Sequence, residues 1–176
     1  MADVFSKTKR SQVMSRIRGR GNKDTELALA RLLRRHHITG WRRQQIIQIN
    51  AQHSTPNVEH SKLSVGRWKF PRPFTVRPDF VFRQVRLAVF VDGCFWHACP
   101  KHATKPKNNA AFWRRKFAAN KKRDVLVTRT LRCAGWRVIR VWECALQRAG
   151  KYPQHEARLL RRLTDSLGPR RSQSAA

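Results

Sequence analysis

Apolar residues recur at two periods along this chain, and the switches between them predict its elements. From Lys23 the spacing is helical. Leu27, Ala28, Leu29, Ala30, Leu32 and Leu33 follow Asp24 or Thr25 near a cap, and Arg34, Arg35 and Gly40 close the helix. Glu26 precedes Leu29, Ala30 and Leu33 by three, four and seven residues, so it shares their apolar face. It is either a carboxylate turned toward the core or a first-turn acid facing solvent and favoured by the helix dipole. Phe80–Phe82 and Leu87–Val91 are β-rich runs separated by Arg83-Gln84-Val85-Arg86, which predicts an antiparallel hairpin. The second run is apolar throughout and belongs in the middle of a sheet.

Helical spacing returns from about Ala110 to Cys133 and is stopped by Gly135. Trp113, Lys116, Asn120 and Asp124, three, four and four residues apart, line one face of that helix. On pattern alone such a row reads as a solvated stripe more readily than as a reading head. Trp136–Trp142 alternates as a strand and delivers Glu143 and Cys144 to its C-terminal end. Leu159, Leu160, Leu163 and Leu167 predict a last amphipathic helix, ending before Gly168-Pro169.

The remaining stretches set the domain limits. Residues 1–22 read as a basic arm with a short helix at Ser11–Ile17, and residues 168–176 as a disordered tail. Between them, 23–167 reads as a single domain, interrupted at about 44–76 by a polar, proline-containing insertion with a hairpin at Val65–Phe70. A chain of 176 residues suits one core, and no internal repeat is visible.

Charge narrows the partners. Thirty-nine Lys and Arg against ten Asp and Glu give +29, a field that selects a polyanion, of which nucleic acid is the commonest. A histone-like neutraliser of phosphate is disfavoured by six Trp and nine Phe, which imply a packed domain. No segment has the roughly 20 apolar residues of a membrane span, and the N-terminus lacks the apolar core of a signal peptide. The expected location is the cytoplasm, where four cysteines are not disulfides.

The chemistry concentrates between Arg77 and His102. Phosphodiester cleavage needs an activated water and charge neutralisation at phosphorus, which one or two Mg²⁺ held by carboxylates supply. Asp79, entering an apolar strand, suits that task, although alone such an Asp is more often a turn residue. Cys94, Cys99 and His102, with four and two residues between them, suit a loop folded around Zn²⁺, with Cys144 as a fourth candidate. The plainer alternative makes Cys94 and Cys144 small buried hydrophobes, and Cys133 stands apart as an ordinary thiol. His97 lies between two of these ligands at a spacing that points it elsewhere, and it can take a proton from an attacking water.

Gly93-Cys94-Phe95-Trp96-His97, preceded by Arg77-Pro78-Asp79-Phe80 and followed by Phe112-Trp113 and Gly135-Trp136-Arg137-Val138 through Val141-Trp142-Glu143-Cys144, resembles the very-short-patch repair (Vsr) mismatch endonucleases. Arg10-Ser11 with Met14 and Ile17, and Glu26 in the first long helix, resemble that family too. The resemblance implies a restriction-endonuclease-like α/β fold, a central mixed β-sheet flanked by helices with a structural zinc site. It implies a Mg²⁺-dependent nick 5′ to the T of a T·G mismatch left by deamination of 5-methylcytosine. Asp79 and the main-chain carbonyl of Val91 would hold Mg²⁺, His97 would be the general base, and Glu26 a supporting acid. Phe95, Trp96 and Trp113 would wedge into the duplex, Lys116, Asn120 and Asp124 would contact the mispaired bases, and Met14 would touch DNA. Cys94, Cys99, His102 and Cys144 would hold the zinc.

The chain departs from the family pattern in having Val91-Asp92 where Thr-His is usual. A main-chain ligand survives that change, and Asp92 becomes a residue that binds or orients metal. It also has Cys99 in place of a His ligand, His102 one residue late, and a longer connection before Asp79. The implied protein is a monomer acting on double-stranded DNA, with other mismatch-repair proteins as further partners. Two other readings compete: a restriction-type nuclease cutting intact duplex, and a non-catalytic, zinc-stabilised DNA-binding protein. The second needs none of Asp79, His97 and Glu26.

Overall fold

The computed structural model describes residues 8–9, 12, 24–49, 74–104 and 106–168. Met14, the hairpin expected at Val65–Phe70 and the tail beyond Gly168 lie outside the described residues, and of the Ser11–Ile17 helix only Gln12, itself helical, is described.

Four strands form a mixed sheet. In chain order they are β1 (Trp41–Arg43), β4 (Phe80–Phe82), β5 (Leu87–Asp92) and β6 (Arg137–Trp142), and they lie side by side in that order. β1 and β4, and β4 and β5, pair antiparallel, whereas β5 and β6 are parallel. The hairpin over Phe80–Leu87 and the central place of β5 are therefore as the pattern predicts. Parallel pairing of β5 with β6 needs a crossover, and α2 (Ala110–Cys133) supplies it. That helix ends where Gly135, at φ 80°, lets its N–H bond Arg132 O and the Trp136 N–H bond Leu131 O, a doubly hydrogen-bonded glycine stop.

Period-two alternation splits the strand residues between two cores. Phe80, Phe82, Leu87, Val89, Ile139 and Val141 face one side, where α1 (Glu26–Arg35), α3 (Glu143–Ala149) and α4 (Pro153–Leu167) cover them with Leu29, Leu33, Leu146, Leu159 and Leu163. Val81 and Ala88 face the other side, against Leu131 of α2 and against Ile47, Ile49 and Val76 of a two-stranded ribbon. The ribbon pairs β2 (Ile47–Ile49) with β3 (Phe74–Val76), Ile47 opposite Val76 and Ile49 opposite Phe74. Both strands fall within the insertion expected at 44–76, near its two ends.

Three expectations are corrected. The first helix is shorter than the pattern from Lys23 to Gly40 allows, because His37 at φ 51° turns the chain out of it, with its N–H on Arg34 O and the Ile38 N–H on Leu33 O, and Gly40 sits at φ 81° in the turn into β1. The last strand begins at Arg137, since Trp136 is used in the helix stop. Cys144 is not on a strand end but in the first turn of α3, which starts as soon as β6 stops. No described helix is long and apolar enough to cross a membrane.

Candidate active site and metal cluster

A cleft of about 870 Å³ opens beyond the C-terminal end of β5. Glu26 from α1, Asp79 at the entry to β4, Asp92 at the end of β5, His97 from the following loop, Asp124 from α2 and Arg140 from β6 all line it. Five segments distant in sequence thus contribute one charged cluster.

Glu26 resolves the alternative left open by its spacing. It is 5% exposed, and its Oε2 accepts hydrogen bonds from Arg43 Nη2 and Gln44 Nε2, both at 3.0 Å. The carboxylate is turned inward and paired, as a buried charge must be. Gln44 also donates its backbone N–H to Asp79 O at 3.1 Å, while holding a left-handed φ of 55°. One strained residue thereby ties the segments of both acids together.

Asp79 accepts the Val91 N–H on Oδ2 at 2.7 Å, which sets its carboxylate against the backbone of β5. Burial pushes its pKa from 3.8 up to about 6; that bond opposes the shift, and the neighbouring charges of Glu26 and Asp92 add to it. A carboxylate so crowded by burial and other acids favours a cation beside it, and an oxygen-rich, acidic surround is the donor set a hard divalent ion takes.

His97 and Asp124 form a close pair, Nδ1 to Oδ2 at 2.6 Å. Pairing with a carboxylate makes Nδ1 the protonated nitrogen and leaves Nε2 as the basic one. The other oxygen of Asp124 is 3.0 Å from Arg140 Nη2. Both oxygens of Asp124, a residue expected at the mispaired bases, are thus engaged within the cluster. Asp92, expected to bind or orient metal, is 3% exposed and held by Arg140 at both oxygens, Nε to Oδ2 at 2.7 Å and Nη2 to Oδ1 at 2.6 Å.

The rings form a group beside these charges. Phe95 meets Trp96 at 5.2 Å, Trp113 at 5.0 Å and Phe117 at 5.5 Å, each edge to face. Trp113 also contacts Phe117 at 5.6 Å, and Phe112, 52% exposed, continues the group outward. Asn120 donates from Nδ2 to the Trp96 carbonyl at 2.8 Å, and Lys116 is exposed on the same face of α2. The row of polar residues behind Trp113 therefore faces the cleft and its loop, where a solvated stripe would face away.

On the far side of that loop, ligand atoms of Cys94, Cys99, His102 and Cys144 all lie within 4.8 Å of one another. Cys99 is buried, with Sγ 3.7 Å from His102 Nδ1 and 3.9 Å from Cys144 Sγ. Successive turns, His97 N–H to Gly93 O at 3.1 Å and Cys99 N–H to Cys94 O at 2.9 Å, send His97 one way and the two cysteines the other. Glu143, next to Cys144, accepts the Cys94 N–H at 2.9 Å and so joins the loop to α3. Burial, with the nearby Cys144 and Cys99 thiols, pushes Cys94 up to about 12. Three thiols and an imidazole so close together are a donor set compatible with a metal ion. Cys133 is exposed and apart from them.

The family description DNA mismatch endonuclease Vsr matches residues 37–103. The type II nicking enzyme V.NmeAIP of Neisseria meningitidis serogroup A is 30% identical over 169 residues, 95% of this chain and 100% of that enzyme. The chain belongs to the Vsr family of DNA mismatch endonucleases. Other Vsr-like relatives are matched over shorter stretches. The type II nicking enzyme V.NaeI of Lentzea aerocolonigenes is 52% identical over 68 residues, 39% of this chain. The DNA mismatch endonuclease Vsr of Escherichia coli is 43% identical over 72 residues, 40% of this chain. These two matches span 41% and 46% of the relatives' own lengths.

Of the residues singled out in the sequence for a Vsr-like site, Glu26, Asp79, Val91, Asp92, Phe95, Trp96, His97, Lys116, Asn120 and Asp124 all line the one cleft. Trp113 meets the lining ring of Phe95 edge to face, and Met14 lies outside the described residues. Sequence reasoning missed Gln44, Phe117 and Arg140. Phe117 had a signal, being four residues after Trp113 on the same helical face. Arg140 had a weaker one, a cation between Ile139 and Val141 in a strand whose alternation places it on the α2 side.

Proposed function

We propose that this chain is a Mg²⁺-dependent DNA mismatch endonuclease that nicks one strand 5′ to the T of a T·G mismatch, the lesion left by deamination of 5-methylcytosine. The observation that carries this reading is the convergence of Asp79 and the His97–Asp124 pair in one cleft flanked by aromatic rings. A restriction-endonuclease-like fold, one endonuclease domain over 23–167, a monomer and a cytoplasmic setting alongside other mismatch-repair proteins complete it.

Asp79 and the Val91 main-chain carbonyl would hold Mg²⁺, and their fit rests on the buried, acid-crowded carboxylate bonded to the Val91 N–H. When bound, the ion supplies charge neutralisation at the scissile phosphate and a lowered pKa for water. His97 Nε2 accepts a proton from the attacking water, and Asp124 holds the Nδ1 proton so that the ring presents one basic nitrogen. Glu26, fixed by Arg43 and Gln44, supports the acid cluster. Asp92 acts through Arg140 and is not a ligand in this scheme.

Phe95, Trp96 and Trp113 are proposed to enter the duplex beside the mismatch, where opening a base step costs least. Lys116 and Asn120 stand next to them on α2, within reach of the opened bases. Cys94, Cys99, His102 and Cys144 are proposed to hold a structural Zn²⁺ with all four positions filled by protein. The test is to incubate the protein and Mg²⁺ with duplexes differing only in T·G or C·G at one position. A single nick in the T·G duplex alone is expected. Cleavage of both duplexes would favour a restriction-type nuclease, and cleavage of neither a DNA-binding protein.

A further inference from the structure

Arg140 joins two carboxylates that would otherwise compete for one imidazole. It lies opposite Phe90 in the β5–β6 register, and its guanidinium carbon stands 5.0 Å from the centre of that ring, so its stem is seated on the α2 side of the sheet. From there it grips Asp92 through Nε and Nη2, and its Nη2 also reaches Asp124 Oδ1 at 3.0 Å. His97 Nδ1 lies 2.6 Å from Asp124 Oδ2 and only 3.7 Å from Asp92 Oδ1. Without the guanidinium, the buried Asp92 and the half-buried Asp124 would repel each other, and both would be acceptors for the same Nδ1 proton.

We propose that Arg140 is a positioning residue for the nicking reaction. By occupying both oxygens of Asp92 it leaves Asp124 as the one acceptor for His97. By holding the second oxygen of Asp124 it fixes the carboxylate that fixes the ring. Asp92 then serves as the anchor for the guanidinium. The forked, planar donor set of arginine suits this double duty, and a lysine ammonium does not reproduce it. The role in catalysis rests on the mismatch-nicking reading; the arrangement of the ring does not.

Two variants separate positioning from mere neutralisation of a buried acid. Arg140→Met keeps an unbranched stem over Phe90 but strands Asp92, so the rate on T·G duplex should fall about 10²-fold, the scale set by misplacing a catalytic group, with KM for the duplex unchanged. Asp92→Asn combined with Arg140→Met removes the stranded charge. Its melting temperature should return close to that of the wild type while its nicking rate stays low. A double variant that nicks at the wild-type rate would overturn the proposal. Nitrogen-15 NMR of the His97 ring gives a readout without any reaction. One tautomer, with Nδ1 protonated, is expected in the wild type and a mixture in the folded variants; an unchanged ring spectrum would also overturn it. A wild-type protein that leaves the T·G duplex intact strikes the mismatch reading alone, and the ring spectra then decide the arrangement.

Discussion

The two faces of the sheet are built from the same strands and behave oppositely. On the α1–α3–α4 side, Phe80, Val89 and Ile139 follow one another across three strands and are sealed by leucines. On the α2 side, Val81, Ala88 and Val138 begin a similar row, but two residues further along β6 it gives way to Arg140, opposite Phe90, and at the end of β5 to Asp92. A face that is apolar at one end and ionic at the other separates holding the fold from holding the chemistry, using nothing more than strand alternation. Damage on the first face should unfold the protein; damage on the second should silence it.

The largest expected effect is on the ionic face. Asp79→Asn should reduce nicking of T·G duplex below detection while DNA binding and the denaturation midpoint stay at least as high as in the wild type, because the ionised carboxylate is held at a cost. Near-normal nicking by this variant would make Asp79 a turn residue. Phe80→Ala tests the opposite face. Phe80 is 0% exposed, and its truncation should cost about 3–5 kcal/mol in a denaturant titration, with binding and nicking lost together.

Trp96→Ala lies between these extremes. It should leave a folded protein whose weak, salt-sensitive binding to matched duplex is unchanged, because counterion release by the basic surface is untouched. Its T·G nicking should fall strongly. A parallel loss of melting temperature and all binding would instead make the ring a core residue. Cys144→Ala should lower both the bound-zinc content and the melting temperature, since a structural metal contributes to folding. Native mass spectrometry showing no metal in the wild type would remove that claim.

The smallest effect is a dependence on pH. The folded-state pKa of Asp79, about 6, lies above its ordinary 3.8, so the folded chain keeps this proton longer than the unfolded one. Its contribution therefore diminishes stability as pH rises from about 4 to about 6 and is constant above that. In metal-free buffer the stability advantage of Asp79→Asn over the wild type should grow across this window, and adding Mg²⁺ should shrink it. A difference independent of pH would contradict the burial of the carboxylate.

Legibility from sequence followed the range of the forces involved. The crossover helix was read at its observed limits because Gly135 ends it locally, and the central place of β5 followed from its unbroken apolar run. The Cys/His cluster was visible because three of its members fall within one loop. The pairing of Asp124 was not legible, since its partners come from the loop at His97 and the strand at Arg140. Likewise the ion pair of Asp92 was not legible, because its guanidinium comes from the neighbouring strand, far along the chain. β2 and β3 escaped notice because each is three residues long and, among the described residues, pairs with the other alone, far along the chain.

That ribbon has a consequence for how the protein tolerates change. Ile47–Ile49 and Phe74–Val76 are clasped to each other, and Pro78-Asp79 follows directly, so the approach of Asp79 to the cleft is set by the clasp and not by the chain that precedes it. Residues 50–73 connect Ile49 to Phe74, which stand opposite each other in the ribbon. Closing such a loop costs only about 0.6 kcal/mol more for each doubling of its length. A change in the number of residues between Ile49 and Phe74 should therefore cost little stability while the clasp keeps Glu26 and Asp79 at a fixed distance.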